Sequence, residues 1–115
     1  MHELSLAGGI LEIVEAAAKR EHFARVTLLR LEAGALAGVE VRALRFALDV
    51  MAQDTCLQDA RIDIDTPPGQ AWCAQCSATV SMMARGDPCG QCGNYQLQPT
   101  SGTELRVVEM MVEDS

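Results

Sequence analysis

The chain has 115 residues, of which 49% are hydrophobic and only four are aromatic, and its formal net charge is −7. This length accommodates one modest domain, or a small domain that carries a smaller module. The sequence contains neither the run of about 20 apolar residues that a membrane helix needs nor the basic start of a signal peptide. It also has no basic stripe for contacting nucleic acid phosphates. We therefore expect a cytoplasmic protein that binds neither membranes nor nucleic acids.

The first predicted elements are a very short strand and a helix that follows it directly. Leu4 and Leu6 flank a polar residue, which favours the short strand. From about Leu6 to His22, apolar residues recur at helical spacing. Gly8 and Gly9 weaken the first turn of this helix, each by up to about 1 kcal/mol relative to alanine. His22 is expected to cap the helix or to be solvated rather than to bind metal.

Three further elements are predicted before the cysteine-rich segment that starts at residue 70. Residues 25–34 read as a strand with apolar side chains on both faces, and residues 60–65 alternate as a half-buried strand does. Between them, residues 39–53 form a second amphipathic helix with one apolar stripe, namely Val41, Leu44, Leu48 and Met51. Two prolines and a glycine at 67–69 then interrupt regular structure.

Residues 70–101 are rich in Cys, Gly, Gln and Ser, and a last strand is predicted at 104–113. The cysteine-rich segment is therefore inserted between strands rather than appended. The predicted fold class is α+β, with two helices packed on a small mixed β-sheet and an inserted four-cysteine module that resembles a zinc ribbon. We divide the chain into an α/β domain, residues 1–69 plus 102–115, and a cysteine-rich module, residues 70–101.

The inserted segment carries two C-x-x-C pairs, Cys73 with Cys76 and Cys89 with Cys92, separated by twelve residues. Two such knuckles bring four thiolates to the corners of a tetrahedron, as zinc requires in closed structural sites. Iron accepts the same ligands, and two disulfides would use the same residues. A cytoplasmic setting keeps thiols reduced, which favours a metal over disulfides. A redox role is less favoured, because neither pair opens the helix of a βαβ unit.

Catalysis is not expected from this sequence. Four thiolates leave a metal no position for a substrate, and no Ser/His/Asp or Cys/His combination is apparent. Cys56, the fifth cysteine, lies between the second helix and the following strand and is expected to pack there.

The first three residues, Met1, His2 and Glu3, offer several donors to one metal ion. The terminal amine, the backbone nitrogen of His2 and an imidazole nitrogen can form fused chelate rings. Glu3 can add an oxygen or hold the imidazole from outside the ligand set. Nitrogen donors of this kind suit Ni²⁺ or Cu²⁺, whereas Mg²⁺ and Ca²⁺ prefer oxygens. By itself, however, a histidine at a chain end is more often solvated.

The order of these features resembles the HypA/HybF family of nickel metallochaperones, which serve the maturation of nickel-iron hydrogenases. The resemblance covers essentially the whole chain and is carried by MHELS at residues 1–5, by the four cysteines and by GTEL at residues 102–105. The family often has arginine where this chain has Thr103, and this chain lacks the histidines that lie near the zinc cysteines in some relatives.

The resemblance implies nickel at His2 with the Met1 amine, support from Glu3, and structural zinc at the four cysteines. Residues 1–69 plus 102–115 would thus be the nickel-binding domain and residues 70–101 the zinc-binding module. It also implies two partners, the nickel-handling GTPase of the pathway and the precursor of the hydrogenase large subunit. The function hypothesis is thus a nickel metallochaperone, not an enzyme. The alternative is a zinc-ribbon module that binds protein or nucleic acid without a nickel function. The sequence allows a homodimer.

Overall fold

The computed structural model describes residues 2–114. In chain order the elements are α1 (His2–Glu21), β1 (Arg25–Ala33), α2 (Val41–Met51), β2 (Arg61–Asp65), β3 (Gly69–Cys73), β4 (Ala78–Met82), β5 (Leu97–Ser101) and β6 (Leu105–Glu113). The strands form two three-stranded sheets, ordered β2-β1-β6 and β4-β3-β5. None of the helices within residues 2–114 is long and apolar enough to cross a membrane.

Two compact units make up the chain. The first consists of Met1–Leu31, Glu40–Ile64 and Val107–Ser115, and the second of Glu32–Val39 and Asp65–Arg106. The division into a domain of residues 1–69 plus 102–115 and a module of residues 70–101 stays a prediction.

The predicted α+β fold class, two helices with a small mixed β-sheet and an inserted four-cysteine module, is confirmed. The strands predicted at 25–34, 60–65 and 104–113 correspond to β1, β2 and β6, which form one sheet with β1 in the middle. The second sheet was not predicted. Its strands span five residues each and carry many Gln, Ser and Thr side chains, so their hydrophobic signal is weak.

The short strand predicted around Leu4 and Leu6 is wrong, because α1 already begins at His2. Leu4 is 55% exposed, so the apparent alternation does not correspond to burial. The buried residues of α1 follow a helical period and lie three or four positions apart: Ala7, Ile10, Val14 and Ala17. Tertiary packing of this face outweighs the helix-weakening effect of Gly8 and Gly9.

The ends of both helices are set by local hydrogen bonds. The carboxylate of Glu40 accepts a 2.7 Å hydrogen bond from the Ala43 N–H and caps α2. At the end of α1, His22 has φ 59° and the Phe23 N–H donates to the Ala18 carbonyl at 3.2 Å. This arrangement is the Schellman motif, in which a left-handed residue ends the helix. His22 therefore terminates α1, in line with the capping role expected from the sequence.

In the second unit, β3 pairs antiparallel with both β4 and β5. Alternate side chains of β3 point inward, so Ala71 and Cys73 are fully buried while Trp72 is exposed. Leu36 packs against Ala71 and Met82 in a small core. A second cluster contains cysteine side chains themselves, Cys73 and Cys89, together with Val80. With so little apolar volume, we expect this unit to need further cross-links for its stability.

Gly102, the first residue of GTEL, lies at a close backbone contact in the second unit. Its φ is 75°, and a Cβ there would lie 2.7 Å from both the Gly69 Cα and the Pro68 oxygen. Its own carbonyl accepts a 2.8 Å hydrogen bond from the Leu36 N–H. A side chain at position 102 would therefore force two backbone segments apart.

We expect Gly102→Ala to lower the free energy of unfolding by about 2–3 kcal/mol, because strain at positive φ adds to the backbone clash. Gly38→Ala is the matched control, since Gly38 has φ 72° but nothing within 4 Å of the added Cβ. Thermal or urea unfolding of both variants separates the two contributions. Equal destabilisation of the two variants would show that the contact with Gly69 and Pro68 is unimportant.

Candidate metal centres

The four cysteines of the inserted segment converge in the second unit. Cys73 ends β3, Cys76 lies in the turn before β4, and Cys89 and Cys92 lie in the loop before β5. All four Sγ atoms lie within 4.8 Å of one another. The Sγ–Sγ distance is 3.6 Å for Cys73 and Cys92 and 3.9 Å for Cys76 and Cys89.

These distances can be compared with those of a real tetrahedral site. With Zn–S bonds of about 2.3 Å, the sulfurs of a zinc tetrahedron lie about 3.8 Å apart. The sulfur cluster therefore already has nearly the size that zinc requires, and the donor set fits the ion.

The second knuckle is held by its own backbone. The Cys89 N–H donates to the Asn94 carbonyl at 2.8 Å, and the Gly93 N–H donates to the Cys89 carbonyl at 2.9 Å. Gly93 has φ 77°, which glycine adopts without steric cost. The loop also directs the Gln91 N–H at the Cys89 sulfur, 3.4 Å away. This geometry stabilises a thiolate at Cys89.

The cysteine pKa values respond to these contacts in opposite directions. The N–H groups of Cys92 and Gln91 lower the pKa of the Cys89 thiol to about 7, and the N–H of Cys76 lowers the pKa of Cys73. Hydrogen bonding with the Cys92 thiol, together with burial, raises the pKa of Cys76 to about 12. Four sulfurs this close cannot all ionise unless a cation balances their charge. A metal ion bound among the four sulfurs would supply that charge.

Cys56 is not part of this cluster. It lies half-buried in the first unit, where burial raises the pKa of its thiol. Its carbonyl accepts a 2.8 Å hydrogen bond from the Val26 N–H. Within residues 2–114, the only group of three or more Cys, His, Asp or Glu side chains close enough to share a metal is the four-cysteine cluster.

The second predicted metal site lies at the start of α1 in the first unit. The structure places the His2 Nδ1 3.4 Å from the Glu3 Oε2, and the His2 side chain is 59% exposed. Met1, predicted to supply the terminal amine, lies outside the described residues. His22, the other histidine, ends α1 and belongs to neither site.

Glu3 is held by α2 as well as by its own helix. The same Oε2 atom accepts a 3.1 Å hydrogen bond from the Glu40 N–H, and the Glu3 side chain is only 13% exposed. This backbone hydrogen bond lowers the pKa of the Glu3 carboxyl. Sequence reasoning missed Glu40, because 37 positions separate it from Glu3 and no local pattern links them. The only sequence feature that could have pointed to Glu40 is its position just before α2, where it acts as the N-cap.

Comparisons with known proteins agree on one family. A family model described as hydrogenase/urease nickel incorporation, metallochaperone, HypA matches residues 1–112. The hydrogenase maturation factor HypA of Cupriavidus necator is 68% identical over 114 residues, covering 99% of this chain and 96% of that protein. The corresponding factor of Polaromonas naphthalenivorans is 63% identical over 114 residues and covers 99% of both.

The fold also matches a solved structure. A solution structure of the nickel metallochaperone HypA from Helicobacter pylori superposes with a TM-score of 0.71, at 20% identity, and covers 100% of both chains. At this identity the likeness establishes the fold alone.

Proposed function

The chain belongs to the HypA family of metallochaperones for nickel incorporation, and on that basis we propose that it binds Ni²⁺ at its N-terminus and delivers it for maturation of nickel-iron hydrogenase. His2 and the Met1 amine bind the nickel, Glu3 supports them, and zinc at the four cysteines is structural. The observation that carries the nickel site is the contact of His2 with Glu3, which the Glu40 N–H holds in turn.

The zinc is held by Cys73, Cys76, Cys89 and Cys92, and it supplies cross-links rather than chemistry. Their Sγ distances match those of a closed four-thiolate site. Such a site has no open position for substrate. The metal thus ties together two knuckles of a unit whose apolar core is small.

The nickel site differs from this closed cluster in accessibility. His2 is well exposed at the first turn of α1, so another protein's donor groups can reach an ion bound there. The Glu40 N–H holds the Glu3 carboxylate without any metal, and the Oε2 of Glu3 lies 3.4 Å from the imidazole Nδ1, close enough to support it. An accessible ion with few protein ligands can be handed on, as a delivery protein requires.

We assign the partners from the same family membership. They are the nickel-handling GTPase of the maturation pathway and the precursor of the hydrogenase large subunit. The protein acts in the cytoplasm, where these components mature, and it works by binding and transfer rather than catalysis. A homodimer is compatible with this role.

The experiment that tests the nickel site uses the free amine. Calorimetric titration with Ni²⁺ should show one tight site in the untagged protein. Adding a few residues ahead of Met1 should weaken that site at least about tenfold, because the amine becomes an amide and moves away. Zinc content is the control and should be equal in both proteins.

Unchanged nickel affinity in the extended protein would contradict an N-terminal site. If neither protein bound nickel and both were retained on immobilised nucleic acid, the alternative of a zinc-ribbon nucleic-acid module would be favoured instead.

A further inference from the structure

The four cysteines of the zinc cluster differ in their accessibility. Cys73 is 0% exposed and Cys89 is 2% exposed. Cys76 is half-buried, whereas Cys92 is exposed. A reagent in solution therefore meets Cys92 first.

The exposed cysteine also has a buried partner within reach. The Cys92 Sγ lies 3.6 Å from the Cys73 Sγ, closer than the 3.9 Å that separates the Cys76 and Cys89 Sγ atoms. Cys73 is fixed at the end of β3, where it pairs with Ala78 on one side and Leu97 on the other. Metal ligation keeps such sulfurs deprotonated. An accessible thiolate beside a second thiolate is the arrangement found in oxidant-sensitive cysteines.

We infer that Cys92 is an oxidative modification site, at which a peroxide reacts first and Cys73 then closes a disulfide. The inference rests on the proposed structural zinc, because it concerns the metal-loaded cluster. It assigns to this cluster a sensitivity to oxidant beyond its structural role.

The chemistry balances with hydrogen peroxide as the oxidant. The Cys92 thiolate attacks one peroxide oxygen, the O–O bond breaks, and hydroxide leaves to give a sulfenic acid. The Cys73 thiolate then attacks the Cys92 sulfur, the S–O bond breaks, and a second hydroxide leaves. Two thiolates have lost two electrons, and the peroxide has become two hydroxide ions, which take up two protons from solvent.

The oxidised protein loses the tetrahedral set of four sulfur donors but keeps one cross-link. Cys76 and Cys89 remain reduced, and two thiols alone do not form a closed zinc site. The new disulfide still joins the first knuckle to the second, because Cys73 and Cys92 come from different C-x-x-C pairs. Oxidation thus exchanges a metal cross-link for a covalent one.

The test uses the full-length, zinc-loaded protein, and its zinc content is measured before any oxidant is added. Absence of zinc at this stage would contradict the proposed structural metal, independently of the oxidation step. The protein then receives one equivalent of hydrogen peroxide, and a chromogenic chelator follows zinc release. Dithiothreitol added afterwards should restore zinc binding.

Peptide mapping identifies the disulfide. Trypsin cleaves after Arg61, Arg85 and Arg106, so Cys73 and Cys76 lie in one peptide and Cys89 and Cys92 lie in the next. The expected early product is the two peptides joined through Cys73 and Cys92, with one zinc released for each disulfide. Alkylation of the zinc-loaded protein should label Cys92 about tenfold faster than any other cysteine.

Cys56→Ser is the matched control, because it removes the one cysteine outside the cluster and should leave the rate of zinc release unchanged. Three results would overturn the inference. They are a disulfide within one knuckle or between Cys76 and Cys89 as the first product, labelling of another cysteine before Cys92, and retention of zinc while thiols of the cluster are oxidised.

Discussion

Replacing Cys73 with alanine is expected to abolish tight zinc binding and to unfold the second unit. Cys73 is fully buried at the end of β3, so no other side chain can take its place at the sulfur cluster. The three remaining sulfurs cannot close a tetrahedron. Metal binding contributes about 10–16 kcal/mol to the folding of zinc-finger peptides. The small cores around Leu36 and Val80 cannot replace a contribution of that size.

Metal analysis and circular dichroism measure the two effects. Zinc content should fall from one per chain to almost none, while the helical signal from α1 and α2 persists, because both helices lie in the first unit. Cys56→Ala is the matched control and should retain full zinc content, because Cys56 is outside the cluster. Full zinc content and an unchanged melting temperature in Cys73→Ala would show that the metal is not structural.

The sequence predicted those elements whose periodicity is set by burial. The α2 stripe was identified correctly, with Leu44 and Leu48 buried at helical spacing. The three strands predicted around residues 25–34, 60–65 and 104–113 are present as β1, β2 and β6, and they form one sheet. The prediction of a strand at Leu4 and Leu6 was wrong, because two alternating leucines are too few to distinguish a strand from the first turn of a helix.

The second sheet illustrates a different limit. The inward residues of β3 include a glycine and a cysteine rather than large apolar side chains, so its alternation was inconspicuous. The pairing of β3 with β5 also joins residues about 25 positions apart, such as Cys73 with Leu97. Local propensity cannot indicate such a partner.

Of the two candidate sites, the four-cysteine cluster was the easier to predict, because it depends on local spacing in the sequence. Two C-x-x-C pairs specify their own knuckles, and the structure brings all four sulfurs together. The sequence could not show which cysteine is exposed, nor that the Glu40 N–H would hold the Glu3 carboxylate. Both features depend on tertiary packing. The ligand roles of Met1, His2, Glu3 and the four cysteines remain predictions.

Replacing His2 with alanine is expected to lower nickel affinity at least about 100-fold, because the imidazole closes the proposed chelate. Zinc content and melting temperature should not change. His2 is exposed and contributes little to packing, and the hydrogen bond between Glu3 and the Glu40 N–H does not involve the imidazole. Calorimetric titration with Ni²⁺, together with zinc analysis of the same sample, measures both consequences.

The matched control is His22→Asn, which removes the other histidine of the chain. Asparagine tolerates the left-handed conformation that His22 adopts at the end of α1, so this control should fold normally. Its nickel affinity should equal that of the unmodified protein. If His2→Ala bound nickel normally while His22→Asn lost it, the N-terminal assignment would be wrong.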